Sequence, residues 1–147
     1  MSESIEFTVP LPPVSLRANS RAHWSKKKRD ADAYSEAVWR AAFYQDCSPV
    51  RLAIRADRQE VPWAAAHVVY TWHYCGAAPD HGNLGANTKY LQDILCMAPK
   101  NGAGKDRWYL GIVENDSGLT CEYHMEKVTK RTLEGVTIRI TREEHQG

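Results

Sequence analysis

Asp80, Asn83, Lys89 and Asp93 fall in one stretch, P-D-H-G-N-L-G-A-N-T-K-Y-L-Q-D-I-L from Pro79 to Leu95, and Asp116 returns in a later turn, G-I-V-E-N-D-S. Carboxylates are the oxygen ligands magnesium prefers, and the ion keeps several of its waters, so a few acids suffice to hold it. An ion held this way polarises a phosphodiester and lowers the pKa of a bound water. A lysine beside it offsets the negative charge that gathers on phosphoryl oxygens in the transition state. Acids arriving from a strand end and from a distant loop, with Lys89 beside them, are the residue types that hydrolysis of a phosphodiester requires.

Each member of the set also has an ordinary reading. Lys89 and Asp93 are four residues apart, and on a helix they form an ion pair worth about 0.2–0.5 kcal/mol. Asp80 suits a turn or a helix cap, Asn83 suits an N-cap, and Asp116 in E-N-D-S-G suits a turn. Only the combination points to chemistry.

The elements that would position these side chains follow from the pattern. Ile5 to Val9 alternates apolar and polar residues as a strand does, and Pro10, Pro12 and Pro13 stop it. Tyr34, Val38, Ala41 and Ala42 recur at helical spacing, which predicts a helix over Asp32 to Phe43, ended by Ser48 and Pro49. Arg51 to Ala56 is a short strand or part of a connection. Ala66 to Tyr74, β-branched and aromatic without glycine or proline, is the clearest strand. A helix is expected from an Asn83 cap to about Leu95, burying Leu84, Leu91, Ile94 and Leu95. A loop then covers Pro99 to Arg107, short apolar structure Trp108 to Val113, and a turn Glu114 to Gly118. Leu119 to Thr129 and Gly135 to Thr141 read as two last strands, with an antiparallel pair as one arrangement. This order implies an α+β domain, a two-layer sandwich with a mixed β-sheet and helices packed on one face.

A chain of 147 residues is one domain's worth, so residues 1–147 are taken as a single domain. Its 43% hydrophobic and 25% charged content is that of an ordinary globular protein. The net charge of +1 excludes a global field that would drive it onto nucleic acid, so any attraction is local. Cys47, Cys75, Cys96 and Cys121 form no CxxC pair, which argues against a zinc knuckle. The opening M-S-E-S-I-E-F is not a secretory leader, and no apolar stretch reaches membrane-spanning length. Reduced cysteines, a cytoplasmic location and no membrane partner are therefore expected.

Local charge is concentrated from Arg17 to Arg29, R-A-N-S-R-A-H-W-S-K-K-K-R, which lacks apolar periodicity and is expected to be an exposed loop. Arg17, Arg21, Lys26, Lys27, Lys28 and Arg29 carry the charge with no acid among them. Such a run is often only a solvated surface. In a near-neutral chain it also suits a phosphate-contacting arm, whose binding would fall steeply with salt. Trp24 lies inside it, where it would stack on a base or wedge into a junction.

Taken in order, these motifs resemble the RusA-like family of Holliday junction resolvases, many of them phage proteins. That family's core is D-x-D-N-L, a lysine, D-x-L and a later D-D pair. Asp80 matches the first Asp, Asn83 and Leu84 the N-L, Lys89 the lysine, Asp93 and Leu95 the D-x-L, and Asn115 and Asp116 the later pair. The opening strand followed by L-P-P-V-S-L-R-A-N is similar too, so the likeness runs from about Ile5 to Ile140. It implies a homodimeric, Mg2+-dependent endonuclease that cuts four-way DNA junctions, in the host cytoplasm if phage-encoded. Asp80 and Asp116 would be its metal-site carboxylates and Lys89 would assist, with the aromatic strand around Trp72 contributing to the dimer interface. Gly82 departs from the family, which usually has a second Asp there. Three arrangements stay open: Asp93 or another acid substitutes, the ion is held weakly, or the chain binds junctions without cutting well.

Three other motifs carry less. N-G-A-G-K at Asn101 to Lys105 lacks the remaining residues of a P-loop. His67 and His73 share a strand face, where packing is the commoner role. Ser20 and Ser25 near His23 have no third partner that would make a nucleophile.

Overall fold

In the computed structural model the described residues are 4–17, 20–45, 63–78, 84–99 and 106–143. They form a four-stranded mixed sheet with helices against it, the expected α+β architecture. The strands are β1 (Ser4–Val9), β2 (Ala65–Tyr74), β3 (Leu119–Lys127) and β4 (Gly135–Glu143), and the helices are α1 (Trp24–Tyr44), α2 (Leu84–Asn87) and α3 (Lys89–Leu95). The Arg51 to Ala56 segment, Asp80, Gly82, the Asn83 cap and Cys47 lie outside the described residues.

Sheet order is β1-β4-β2-β3. β4 runs antiparallel to both β1 and β2, whereas β2 and β3 are parallel. An antiparallel pairing of the last two strands is therefore not what forms: β4 inserts between β1 and β2, and β3 takes the outer edge. The parallel pair needs a crossover to carry the chain back, and α2 and α3 supply it.

Strand alternation sets which side chains meet the helices. Ile5, Phe7 and Val9 of β1 pair with Ile140, Ile138 and Val136 of β4, and all six are buried. On the same face β2 contributes Ala66, Val68, Tyr70 and Trp72. Trp72 is buried, so its own ring packs in the chain's core. Over this face lie Ala31, Tyr34, Val38 and Ala42 of α1 and Leu91, Ile94 and Leu95 of α3. The opposite face is polar and more open. There His73 Nε2 lies 2.8 Å from Thr137 Oγ1, and His67 Nε2 lies 3.7 Å from Glu122.

β1 is an edge strand, and the Gln45 side chain closes part of that edge. Its amide donates to Thr8 O at 2.7 Å while its carbonyl accepts from Thr8 N–H at 2.7 Å, a substitute for a neighbouring strand. Tyr34 donates its hydroxyl to Pro10 O at 2.6 Å, which ties α1 to the end of β1.

Helix α1 begins at Trp24, so the basic run from Lys26 onward is helix rather than loop. His23 caps it, its Nδ1 accepting from Ser25 N–H at 3.2 Å. That cap also accounts for the Ser25 and His23 pairing. The lysines favour helix and stay on its wet side. Lys26 and Lys28 pair one turn along with Asp30 and Asp32, at 3.1 and 3.0 Å. A run with no buried member has no apolar period to reveal it.

Candidate active site

The helix expected from Asn83 to Leu95 is divided at Thr88. Its hydroxyl donates back to Leu84 O at 2.9 Å and lies 3.0 Å from Gly85 O. Bonding of this kind offers the backbone an alternative partner and bends a helix. Lys89 is the first residue of α3 beyond that joint.

The end of α3 is stitched to the segment that delivers Asp116. The last carbonyls of a helix have no partner within it. Here Leu110 N–H donates to Ile94 O at 2.8 Å, Ile112 N–H to Leu95 O at 2.8 Å and Gly111 N–H to Cys96 O at 3.1 Å. Gly111 has φ +66°, the left-handed backbone that glycine adopts without a Cβ penalty. Leu110, Ile112 and Val113 are buried, so the stretch expected to be short apolar structure is an anchor rather than a full strand. Trp63 N–H adds a bond to Ile112 O at 2.7 Å.

Three residues beyond this anchor the chain turns. Asn115 Oδ1 accepts from both Ser117 N–H and Ser117 Oγ, capping a 3-10 turn over Asp116–Gly118. A Cβ on Gly118 would stand 2.9 Å from the Ala64 carbonyl oxygen, so only glycine lets the turn approach the start of β2 this closely. The carboxylate of Asp116 is thereby brought back to α3.

Lys89 Nζ lies 3.3 Å from Asp116 Oδ2 and 3.5 Å from Asp93 Oδ1. Two acids, one from the same helix and one from a loop, face a single ammonium. The cluster is open to solvent: Lys89 is 54% exposed, Asp93 38% and Asp116 57%. Lys89 is held above its ordinary pKa, first by the charge of Asp93 and then, against some desolvation, by Asp116. Beneath lies the buried Cys96, its thiol donating to Gln92 O at 3.3 Å. Burial, then the charges of Asp116 and Asp93, push that thiol up to about 12.

Asp93 and Asp116 fit a hard divalent cation. They are oxygen donors, among the described residues they exceed the positive charge they face by one, and their exposure leaves room for the waters magnesium retains. Among the described residues no group of three or more His, Cys, Asp or Glu side chains converges as a metal site. A site here would therefore draw on these two acids, water and any ligand from elsewhere in the chain.

Arg107 was not singled out by its sequence context, which reads as loop. Its Nε lies 3.3 Å from Asp32 Oδ1 on α1, and its guanidinium carbon lies 5.6 Å from the centre of the Tyr90 ring on α3. It bridges two helices beside the acid cluster, and the neighbouring Tyr109 senses both Asp93 and Asp32. A pairing across 75 residues leaves no local trace in sequence.

The basic arm is partly engaged. Arg17 Nε donates to Pro12 O at 2.9 Å and Lys27 Nζ to Ser20 O at 3.2 Å. Lys28 also reaches Asp106 at 3.4 Å. Arg21, Arg29 and Trp24 are exposed, Trp24 to 71%. Surface ion pairs are weak, worth about 0.2–1 kcal/mol, so phosphates can displace them. No helix among the described residues is long and apolar enough to cross a membrane.

Comparison with models of known protein families and with curated protein sequences returned no match.

Proposed function

We propose that this chain is a Mg2+-dependent endonuclease selective for branched DNA, acting on Holliday junctions or related recombination and replication intermediates as a homodimer. The observation that carries the reading is Lys89, set between Asp93 and Asp116 by two separate elements. The ordered resemblance to the RusA-like family supports the same class, with Asp80 as a further metal carboxylate.

Asp93 and Asp116, with Asp80, would hold the ion, which when bound polarises the phosphodiester and acidifies a water. Lys89 contributes its own charge. An ammonium has three donors, and two acids leave one for a phosphoryl oxygen. Lys89, already protonated at its ordinary pKa and raised further by those acids, can offset negative charge at that oxygen throughout the neutral range. Arg21, Lys26, Lys27 and Arg29 would meet the phosphates of the arms.

The test is nicking of a synthetic four-way junction, with linear duplex as control, in Mg2+ and in EDTA. Nicking confined to the junction in Mg2+, and abolished by Asp80→Asn and Asp116→Asn, is expected. Cleavage unaffected by both substitutions would refute the site.

Gly82 favours a second reading, a junction-binding protein of the same fold that cuts weakly or not at all. Gly82→Asp separates the two. A large gain in cutting marks a weakened enzyme, and no gain over an active parent marks a site completed by other acids.

A further inference from the structure

We infer that an aromatic and cationic band, running from the acid cluster along α1, is a stacking platform for unpaired bases of a DNA strand. The inference rests on the phosphodiester-cleaving reading of that cluster. The band starts on α3, where Arg107 lies over the Tyr90 ring, the residue after Lys89. Trp108 follows, its backbone N–H donating to Ser35 Oγ at 2.9 Å and its ring meeting Trp39 edge-on at 5.1 Å. Arg40 lies 5.8 Å above the Trp108 ring. Trp39 stacks on Phe43 at 5.2 Å with 5° between planes, and Phe43 meets Tyr44 edge-on at 5.3 Å.

Trp39 and Tyr90 pack partly buried rings against the core, and the outer rings are left to solvent. Trp108 is 36% exposed and Tyr44 68%. At about 100° per residue, Arg40 and Tyr44 lie on the side of α1 away from the buried Val38 and Ala42. At Tyr44, a helix that needed the position only for solubility would carry charge instead of a ring.

Spare guanidinium donors select the occupant. Arg40 and Arg107 each make one ion pair, with Glu36 and Asp32. A guanidinium has five N–H donors, so both retain donors for phosphate oxygens. Burying both in the apolar centre of a protein interface would cost desolvation without a new partner. A polyanion supplies that partner while its bases use the rings, and base–aromatic stacking tolerates any sequence.

The test measures anisotropy of a labelled oligothymidylate and of a blunt duplex of equal length against the full chain and its variants. Trp108→Ala is expected to weaken oligothymidylate binding about tenfold and Tyr44→Ala several-fold, while duplex affinity holds. Tyr44→Phe, which keeps the ring, should bind as the parent does. Tyr44 is exposed enough that its loss leaves the fold intact, so unchanged oligothymidylate binding in Tyr44→Ala and Trp108→Ala would overturn the platform. So would a dimer that these variants dissociate without any change in oligothymidylate binding, since the band would then join two copies. Junction nicking measured in parallel separates the two ideas. A parent that nicks while band variants bind normally loses only the platform; one that binds through the band and never nicks loses only the cleavage reading.

Discussion

Lys28 and Lys89 have matching surroundings. Each pairs with an aspartate one turn further along its helix, Asp32 or Asp93, and each reaches a second aspartate from a distant segment, Asp106 or Asp116. The distances are alike, 3.0 and 3.4 Å against 3.5 and 3.3 Å, and both ammonium groups are held above their ordinary pKa. The difference is the fourth member. Asp32 also binds Arg107, so the Lys28 cluster holds two cations and two acids and is balanced. Among the described residues, Lys89 faces two acids alone. For a cation, residual charge rather than the number of pairs distinguishes the two clusters. The balanced cluster fastens the 106–108 segment to α1, whereas the unbalanced one would attract the divalent cation proposed for it.

The comparison breaks most sharply on activity. Asp116→Asn removes the excess charge and a proposed metal ligand together, and Mg2+-dependent nicking of a four-way junction should fall at least about 100-fold. Asp106→Asn deletes the equivalent acid of the balanced cluster and should change nicking less than about threefold, the scale of an exposed ion pair. Equal losses in the two variants, measured as single-turnover rates, would erase the distinction.

The second prediction concerns how Asp116 is delivered. Gly118→Ala places a methyl group 2.9 Å from the Ala64 carbonyl oxygen, a backbone atom that cannot swing away. Overpacking of this kind costs about 1–3 kcal/mol, read as a lowered denaturation midpoint. Because the strain falls two residues from Asp116, nicking by the remaining folded protein should drop as well. Asp106 makes an exposed pair with Lys28 at 3.4 Å, and Asp106→Ala should leave the denaturation midpoint close to that of the parent.

These contrasts explain what was legible in the sequence. The spacing of Leu84, Leu91, Ile94 and Leu95 identified the buried stripe of the second helical region, since burial on a helix leaves a period. The alternation in Ile5 to Val9 and the composition of Ala66 to Tyr74 identified two strands for the same reason. The start of α1 was hidden because Lys26 to Arg29 bury nothing and are stabilised by pairs with Asp30 and Asp32 rather than by a stripe. The partners of β3 and β4 were hidden because alternation states which face is buried, not which strand lies alongside. At the site, the i,i+4 pairing of Lys89 with Asp93 was readable, but Lys26 with Asp30 and Lys28 with Asp32 share that spacing. What separates them, the arrival of Asp116 and the diversion of Asp32 to Arg107, is tertiary.

The smallest effect reads the excess charge directly, through Cys96. Its ordinary pKa is 9.0, and in the folded chain it stands at about 12, chiefly from burial and then from Asp116 and Asp93. A folded-state value above the unfolded one means that the protonated thiol favours folding. That contribution is complete below pH 9.0 and is lost as pH rises toward 12. Tyr34 and Tyr70, also raised by burial, act in the same direction from their ordinary 10.0 upward, so stability should decline on the alkaline side above pH 9.0. Thiolate absorbance followed against pH in EDTA isolates the electrostatic share. Asp116→Asn should lower the Cys96 midpoint modestly, because burial remains and one negative charge is gone. Asp106→Asn should leave it where it was, since its charge belongs to the balanced cluster. A Cys96 midpoint that moves equally in both variants would mean that the acid at position 116 exerts no local field, and the case for a cation site beside Lys89 would go with it.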